Sequence, residues 1–311
     1  MARDRAWLTP SLSLIIACAL WAGGTVIGKH VLGSVPPVLF LIIQLVPSVA
    51  ALWAVTLRSR APLPRGRTLL LVMVLGWLNP GLSYSLSMLG LVHATASVAT
   101  LMWAAEPALI VMLAWLVLRE RVNAKMVILT ASAALGVYFA SGLASQGLSL
   151  QGQTYGASLI LLGVLCCAIY TVVSRDIAAS TEPLAIVVIQ QTVGLAWALS
   201  IWPVELQGSA LKTLSNLTTA ELFGAIASGL MYYALAFWFY LNGLRSVPAS
   251  HAGGFFNLIP VFGIVLAWVF LGERMYFEQW IGASVILASV VTLQIVAARV
   301  SPEQMARLDK G

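Results

Sequence analysis

The sequence predicts an all-α integral membrane protein, with ten transmembrane helices arranged as two inverted five-helix repeats around a central cavity. Three observations carry that prediction. Of 311 residues, 60% are hydrophobic and only 9% are charged, whereas an average soluble domain carries about 25% charged residues. The apolar residues gather into ten runs, and about 20 residues at 1.5 Å each suffice for a helix to cross the hydrocarbon core. Finally, a block of the first half recurs without gaps in the second at a constant offset of 153.

The runs occupy about 11–32, 37–57, 68–89, 94–118, 124–142, 155–175, 184–203, 218–241, 249–271 and 277–297. The first follows Met1-Ala-Arg-Asp-Arg as a signal core would, but it is too long for one. It ends at Lys29 without a small-x-small cleavage site, so it reads as a retained span. The third carries Asn79 and Pro80, and the fourth carries Glu106-Pro107. The fifth leads into a Gly/Ser/Gln-rich, uncharged join from Ser141 to Gln153. The eighth is rich in aromatic residues, and the ninth holds Asn257 and Pro260. Most connections are short, so consecutive spans are antiparallel neighbours. Strands are not expected, because a membrane barrel alternates polar and apolar residues and these runs do not.

The basic residues orient the bundle. With the N-terminus in the cytoplasm, Arg3, Arg5, Arg58, Arg60, Arg65, Arg67, Arg119, Arg121, Lys125, Arg175, Arg245, Arg299, Arg307 and Lys310 are cytoplasmic. Only Lys29, Lys212 and Arg274 face the other side, a bias of fourteen to three. Cationic loops are held on the cytoplasmic side, so a multi-pass protein of the cell (inner) membrane with both termini cytoplasmic is expected. The alternation also checks the span count, since one missed span would scramble it.

Residues 90–121 and 243–274 align without gaps: Gly90 with Gly243, Pro107 with Pro260, Trp115 with Trp268, and Glu120-Arg121 with Glu273-Arg274. A second match at offset 146 pairs Lys29 with Arg175, Pro37 with Pro183 and Gln44 with Gln190. The halves are therefore 1–145 and 150–311, with five spans each. An odd number of spans per copy turns the second copy upside down. Inverted repeats give a protein two shapes of similar energy, each open to one side, with a site between the halves near the midplane. That arrangement predicts a transporter; a channel or a membrane scaffold is the alternative.

Two five-helix halves, each with Pro-x12-Glu-Arg before its last span, resemble the drug/metabolite transporter superfamily and, within it, the ten-helix EamA branch. Trp21 to Lys29 resembles the family's Trp-x7-Lys pattern. Cys167 stands where an aromatic residue is common in the second half, a departure from that pattern. The chain is similar to bacterial amino-acid and metabolite exporters, including the YddG type. The resemblance implies export of amino acids, including aromatic or apolar ones, or of related small metabolites by alternating access.

Polar groups at membrane depth supply the site candidates. Glu106 is mid-span, where a charge costs on the order of 2.5–3.5 kcal/mol, and its repeat mate is Ile259. A need of the fold would appear in both halves, so Glu106 is expected to face the cavity and meet a substrate ammonium or carry a proton. A protonated Glu bonded to a neighbouring helix is the alternative. Trp103 lies one turn before it on the same face, and Trp21 is also deep. An aromatic beside a carboxylate suits a cation. Asn79, Ser83 and Ser87 form a stripe flanked by Tyr84, either cavity wall or interhelical glue. Tyr170, Asn257, Tyr233 and Phe237 complete the lining, the last two sharing a face with Tyr240. Gln44 and Gln190 are either symmetric gates or fold-level polar contacts. Pro107 and Pro260, mid-helix in the two matching spans, are either hinges or permanent bends.

Other classes are disfavoured. The chain has no His-Glu-x-x-His, no Gly-x-Ser-Gly turn, no phosphate-binding Gly-x4-Gly-Lys-Ser/Thr loop and no pair of intramembrane aspartates, so no enzyme is expected. Cys18, Cys166 and Cys167 show no metal-ligand spacing, so no metal or cofactor is expected. The basic residues form no patch for nucleic acid. The expected partners are a small-molecule substrate and the lipid bilayer, with the chain monomeric. Phosphorylated or nucleotide-linked sugars would call for deep Lys or Arg residues, which the spans lack.

Overall fold

The computed structural model of the chain describes residues 2–32, 35–94, 102–103, 105–120, 122–140, 154–205, 217–271 and 277–299. Arg121, Lys212, Arg274, Arg307, Lys310 and the join 141–153 lie outside the described residues, as do the side chains of Arg3, Arg5, Lys29 and Arg299.

Among the described residues there are ten helical units and no strand. They are α1 (Ala2–Leu32), α2 (Pro37–Ser59), α3, α4 (Glu106–Val117), α5 (Ala124–Ala140), α6 (Thr154–Ser180), α7 (Pro183–Glu205), α8, α9 and α10 (Phe277–Arg299). α3 runs Gly66–Gly76, kinks within Trp77–Leu82, where Asn79 has non-helical dihedrals, and continues as Ser83–His93. α8 is interrupted at the matching place by a π-helical segment: Thr219–Gly229, Leu230–Ala236 and Phe237–Leu244. α9 has two pieces, Ala249–Phe255 and Leu258–Leu271. Seven of these spans are long and apolar enough to cross a membrane, and Glu106–Val117, Ala124–Phe139 and Phe277–Leu293 are shorter apolar helices.

Lipid leaves an unpaired backbone or hydroxyl group nothing to bond, so helices that keep their bonds internal are the solution. The side chains follow the same rule. Ser48, Thr56, Ser85 and Thr192 each return their hydroxyl to the carbonyl four residues back, at 2.6–2.8 Å. At the ends, where the chain leaves the apolar region, side chains cap the helix. Asn123 accepts from Met126 N at 2.8 Å, and Thr218 with Glu221 forms a capping box at the start of α8. Leu57, Trp115, Phe223, Phe270 and Phe277 point outward, the inverse of a soluble surface.

The halves pack by a two-fold exchange. α1 packs on α8 and α9, and its mate α6 packs on α3 and α4. α2 packs on α8, and its mate α7 packs on α3. Three pairs meet their own mates: α2 with α7, α4 with α9, and α5 with α10. Self-paired contacts mark the exchange axis, and five spans per half place that axis in the membrane plane.

Close approaches obey the same exchange. A methyl on Gly76 would stand 2.6 Å from Gln190 Cα, and one on Gly229, its mate, would stand 2.6 Å from Gln44 Cα. Only a residue without Cβ permits backbones this close. Gly90 packs on Gly156 and Ile160, and Gly243 packs on the equivalent Pro10 and Leu14.

Candidate functional site

Three features of the backbone create the site. The kink of α3 and the π-helical segment of α8 lie at matching positions, since 77 plus 153 is 230. A π-turn widens the helix and shifts every side chain beyond it. α9 breaks at Phe256-Asn257, and α4 begins at Glu106, so helical pieces start at mid-depth in both halves. Pro107 and Pro260 each lie in the first turn of such a piece. A proline there loses no helical hydrogen bond. The two prolines therefore start helices instead of bending continuous ones, which corrects the mid-helix placement.

Glu106 is the first residue of α4, and it is buried. The helix start carries partial positive charge, which favours a carboxylate at that point. Among the described residues its carboxylate has no hydrogen-bond or ion-pair partner. It lies within electrostatic reach of Cys18 on α1, Cys167 on α6, and Tyr232 and Tyr240 on α8.

The aromatic rings of these spans, Tyr232 and Tyr240 among them, form one connected network. Trp21 is 6% exposed and packs edge-on to Phe237 at 5.3 Å and Phe256 at 5.5 Å, with Tyr240 at 5.4 Å and Tyr232 at 6.4 Å. Tyr84 joins Trp103 at 6.3 Å to Tyr232 and Tyr233, both at 5.9 Å. Tyr233 stacks on Phe237 at 6.5 Å, and Tyr170 meets Phe237 at 6.1 Å. Six of the sequence candidates, Trp21, Tyr84, Trp103, Tyr170, Tyr233 and Phe237, thus belong to a single ring assembly.

Polar atoms within it divide into paired and unpaired. The hydroxyls of Tyr84 and Tyr232 bond each other at 2.7 Å. Tyr170 donates to Gln190 Oε1 at 3.0 Å, and Tyr240 donates to Thr171 at 2.9 Å. Trp21 Nε1, Asn79 Oδ1 and Ser87 Oγ are buried without a partner among the described residues. Replacing Tyr84 by Phe strands the Tyr232 hydroxyl, and an unsatisfied buried group costs about 1–3 kcal/mol. Tyr84→Phe is expected to lower the unfolding temperature in detergent, and Tyr84→Phe/Tyr232→Phe to recover part of the loss.

Other candidates face elsewhere. Ser83 donates to Gly163 O at 2.9 Å and touches Cys167 Sγ at 2.9 Å, so its hydroxyl joins α3 to α6. Asn257 donates to Gly254 O at 3.2 Å, within the break of α9. Asn79 sits at the kink of α3 with extended dihedrals (φ −146°, ψ 117°). Gln44 donates to Ser228 at 2.9 Å across the halves, whereas Gln190 accepts from Tyr170 within its own half. Arg175 donates to Val247 O at 2.9 Å.

Sequence reasoning left Phe256 out, although the repeat could have found it: Phe256 is the mate of Trp103 at offset 153. It also gave the shared face of α8 to Tyr233, Phe237 and Tyr240. The π-segment brings Tyr232 onto that face too, 4.9 Å from Tyr233, and α-helical spacing gives no sign of this.

The sequence profile of the EamA-like transporter family matches residues 8–142 and again residues 154–294. The uncharacterized transporter YetK of Bacillus subtilis (strain 168) is 24% identical over 283 residues, covering 90% of this chain and 84% of YetK. The quaternary ammonium compound-resistance protein QacF of Klebsiella aerogenes is 31% identical over 104 residues, 32% of this chain and 89% of QacF. A solved structure at 19% identity superposes with a TM-score of 0.76, covering 93% of this chain and 97% of the other, and supports the fold.

Proposed function

Because the chain belongs to the EamA-like transporter family, we propose that it is a secondary-active or facilitative exporter that works by alternating access at the Glu106 site. Its cargo is a small molecule that joins an ammonium group to an apolar or aromatic body: an amino acid of that kind or a related amine. The halves 1–145 and 150–311 rock about the central site, with the breaks before Pro107 and Pro260 as hinges. Both termini lie on the cytoplasmic side of the cell (inner) membrane.

The observation that carries this reading is the Glu106 carboxylate, buried, with no partner among the described residues, and within electrostatic reach of Tyr232 and Tyr240 of the ring assembly. A cation held by a carboxylate and ring faces gains from both. Trp21 Nε1, on a ring of the assembly, is an unspent hydrogen-bond donor. An anionic cargo, such as a phosphorylated sugar, would meet a like charge in Glu106. A second reading, organic cations without a carboxylate, is favoured by the absence of a deep Lys or Arg among the described residues. The name of QacF, a quaternary ammonium compound-resistance protein, agrees with it.

The test is flux. Protein in liposomes is expected to move labelled aromatic amino acids or amines saturably and to show counterflow. Competition with decarboxylated analogues then separates the two cargo classes. Flux that stays linear in concentration would point to a channel instead.

A further inference from the structure

Glu120 ends the first half's fourth span, yet its carboxylate is bound to the second half. Ala249 N donates to Oε1 at 2.9 Å, Ser250 N donates to Oε2 at 3.1 Å, and the Ser250 hydroxyl also donates to Oε2. α9 starts behind Pro248 without a side-chain cap of its own, so Glu120 supplies the cap from across the repeat boundary. Hydrogen bonds to an ionised acceptor are about twice as strong as neutral ones. The α6 residue Arg175 secures the same corner by donating to Val247 O at 2.9 Å.

The place of this contact gives it a meaning beyond capping. α4 and α9 are repeat mates that meet at the exchange axis. The end of α4 and the start of α9 lie at one face of the membrane, and six residues further along α9 the chain reaches Phe256 of the ring assembly. Opening that face to the site requires the end of α4 to leave the start of α9, which breaks all three bonds at once. The repeat supplies the same residue types at offset 153, namely Glu273 with Ala96-Ser97, which lie outside the described residues.

We infer that Glu120 is a positioning residue of the transport cycle: its clasp on Ala249 and Ser250 holds one face of the protein shut and sets how often that face opens. The inference rests on the alternating-access reading, and the test separates the two. Full-length protein carrying Cys18→Ser, Cys166→Ser and Cys167→Ser is spin-labelled at Val117→Cys and Ser246→Cys, which flank the clasp, and placed in nanodiscs. Double electron–electron resonance then reads the distance distribution with and without tryptamine as the amine probe. Wild type should show a short and a long population. Glu120→Gln should raise the long-to-short ratio about tenfold, and Ser250→Ala, which keeps both backbone bonds, about threefold. Ser250→Ala carries the test if Glu120→Gln fails to fold. Two wild-type populations whose ratio the folded variants leave untouched overturn the clasp alone. A single distance that neither tryptamine nor any variant moves overturns alternating access, and the clasp with it.

Discussion

Glu106→Gln is expected to remove most of the affinity for an amine while leaving the fold intact. The carboxylate is buried at the start of α4 with no ion-pair or hydrogen-bond partner among the described residues, so its replacement strands none of them. A charged side chain at membrane depth is costly to insert, and the neutral amide lowers that cost. Stability should therefore hold or rise. Binding is another matter. Removing one member of a buried charge pair costs about 2–5 kcal/mol, so the Kd for tryptamine should rise about 30-fold or more. A neutral indole without the amine should bind both forms alike, because its contacts are with the rings. Calorimetry on both ligands checks the prediction. Undiminished amine binding by a folded Glu106→Gln protein would remove Glu106 from the site.

Gly229→Ala and Gly76→Ala should each unfold more easily than wild type. The added methyl would stand 2.6 Å from a Gln Cα in each case, and what it meets is backbone. α8 must then back away from α2, or α3 from α7. Overpacking of this kind costs about 1–3 kcal/mol. The displaced helices also carry the Trp77–Leu82 kink beside Tyr84 and the π-segment that holds Tyr232 and Tyr233, so transport should fall with stability. Thermal unfolding in detergent and liposome flux measure the two effects. Equal losses at both positions are expected, because the two crossings are copies of one another. An unchanged unfolding temperature at both would contradict the packing described.

The ten helices and their inversion were legible because both rest on long-range regularities of the sequence: apolar length, cation placement, and a repeat with an odd number of spans. Glu106 stands out in the sequence because an acid at that depth is costly, and the fold buries it at the start of α4. What spacing did not reveal depends on local backbone geometry. The π-segment of α8 brings Tyr232 round to meet Tyr84, while α-helical counting places it off the face of Tyr233 and Phe237. Pro107 and Pro260 look like kinks when the helix is assumed continuous, and the helix starts at Glu106 and Leu258 are what accommodate them. Ser83 carries the same residue type as a cavity wall, and its bond to Gly163 O shows that the neighbouring helix takes its hydroxyl. Glu120 reads as a loop charge until the fold brings Ala249 and Ser250 beside it.

One labelling experiment bears most directly on the shared claim of a midplane pocket served from either side. Cysteine is placed at position 106 in protein lacking Cys18, Cys166 and Cys167, and a membrane-impermeant maleimide is added to right-side-out or to inside-out vesicles. The account predicts modification from both faces. Modification from one face only, or from neither, in folded protein would contradict it.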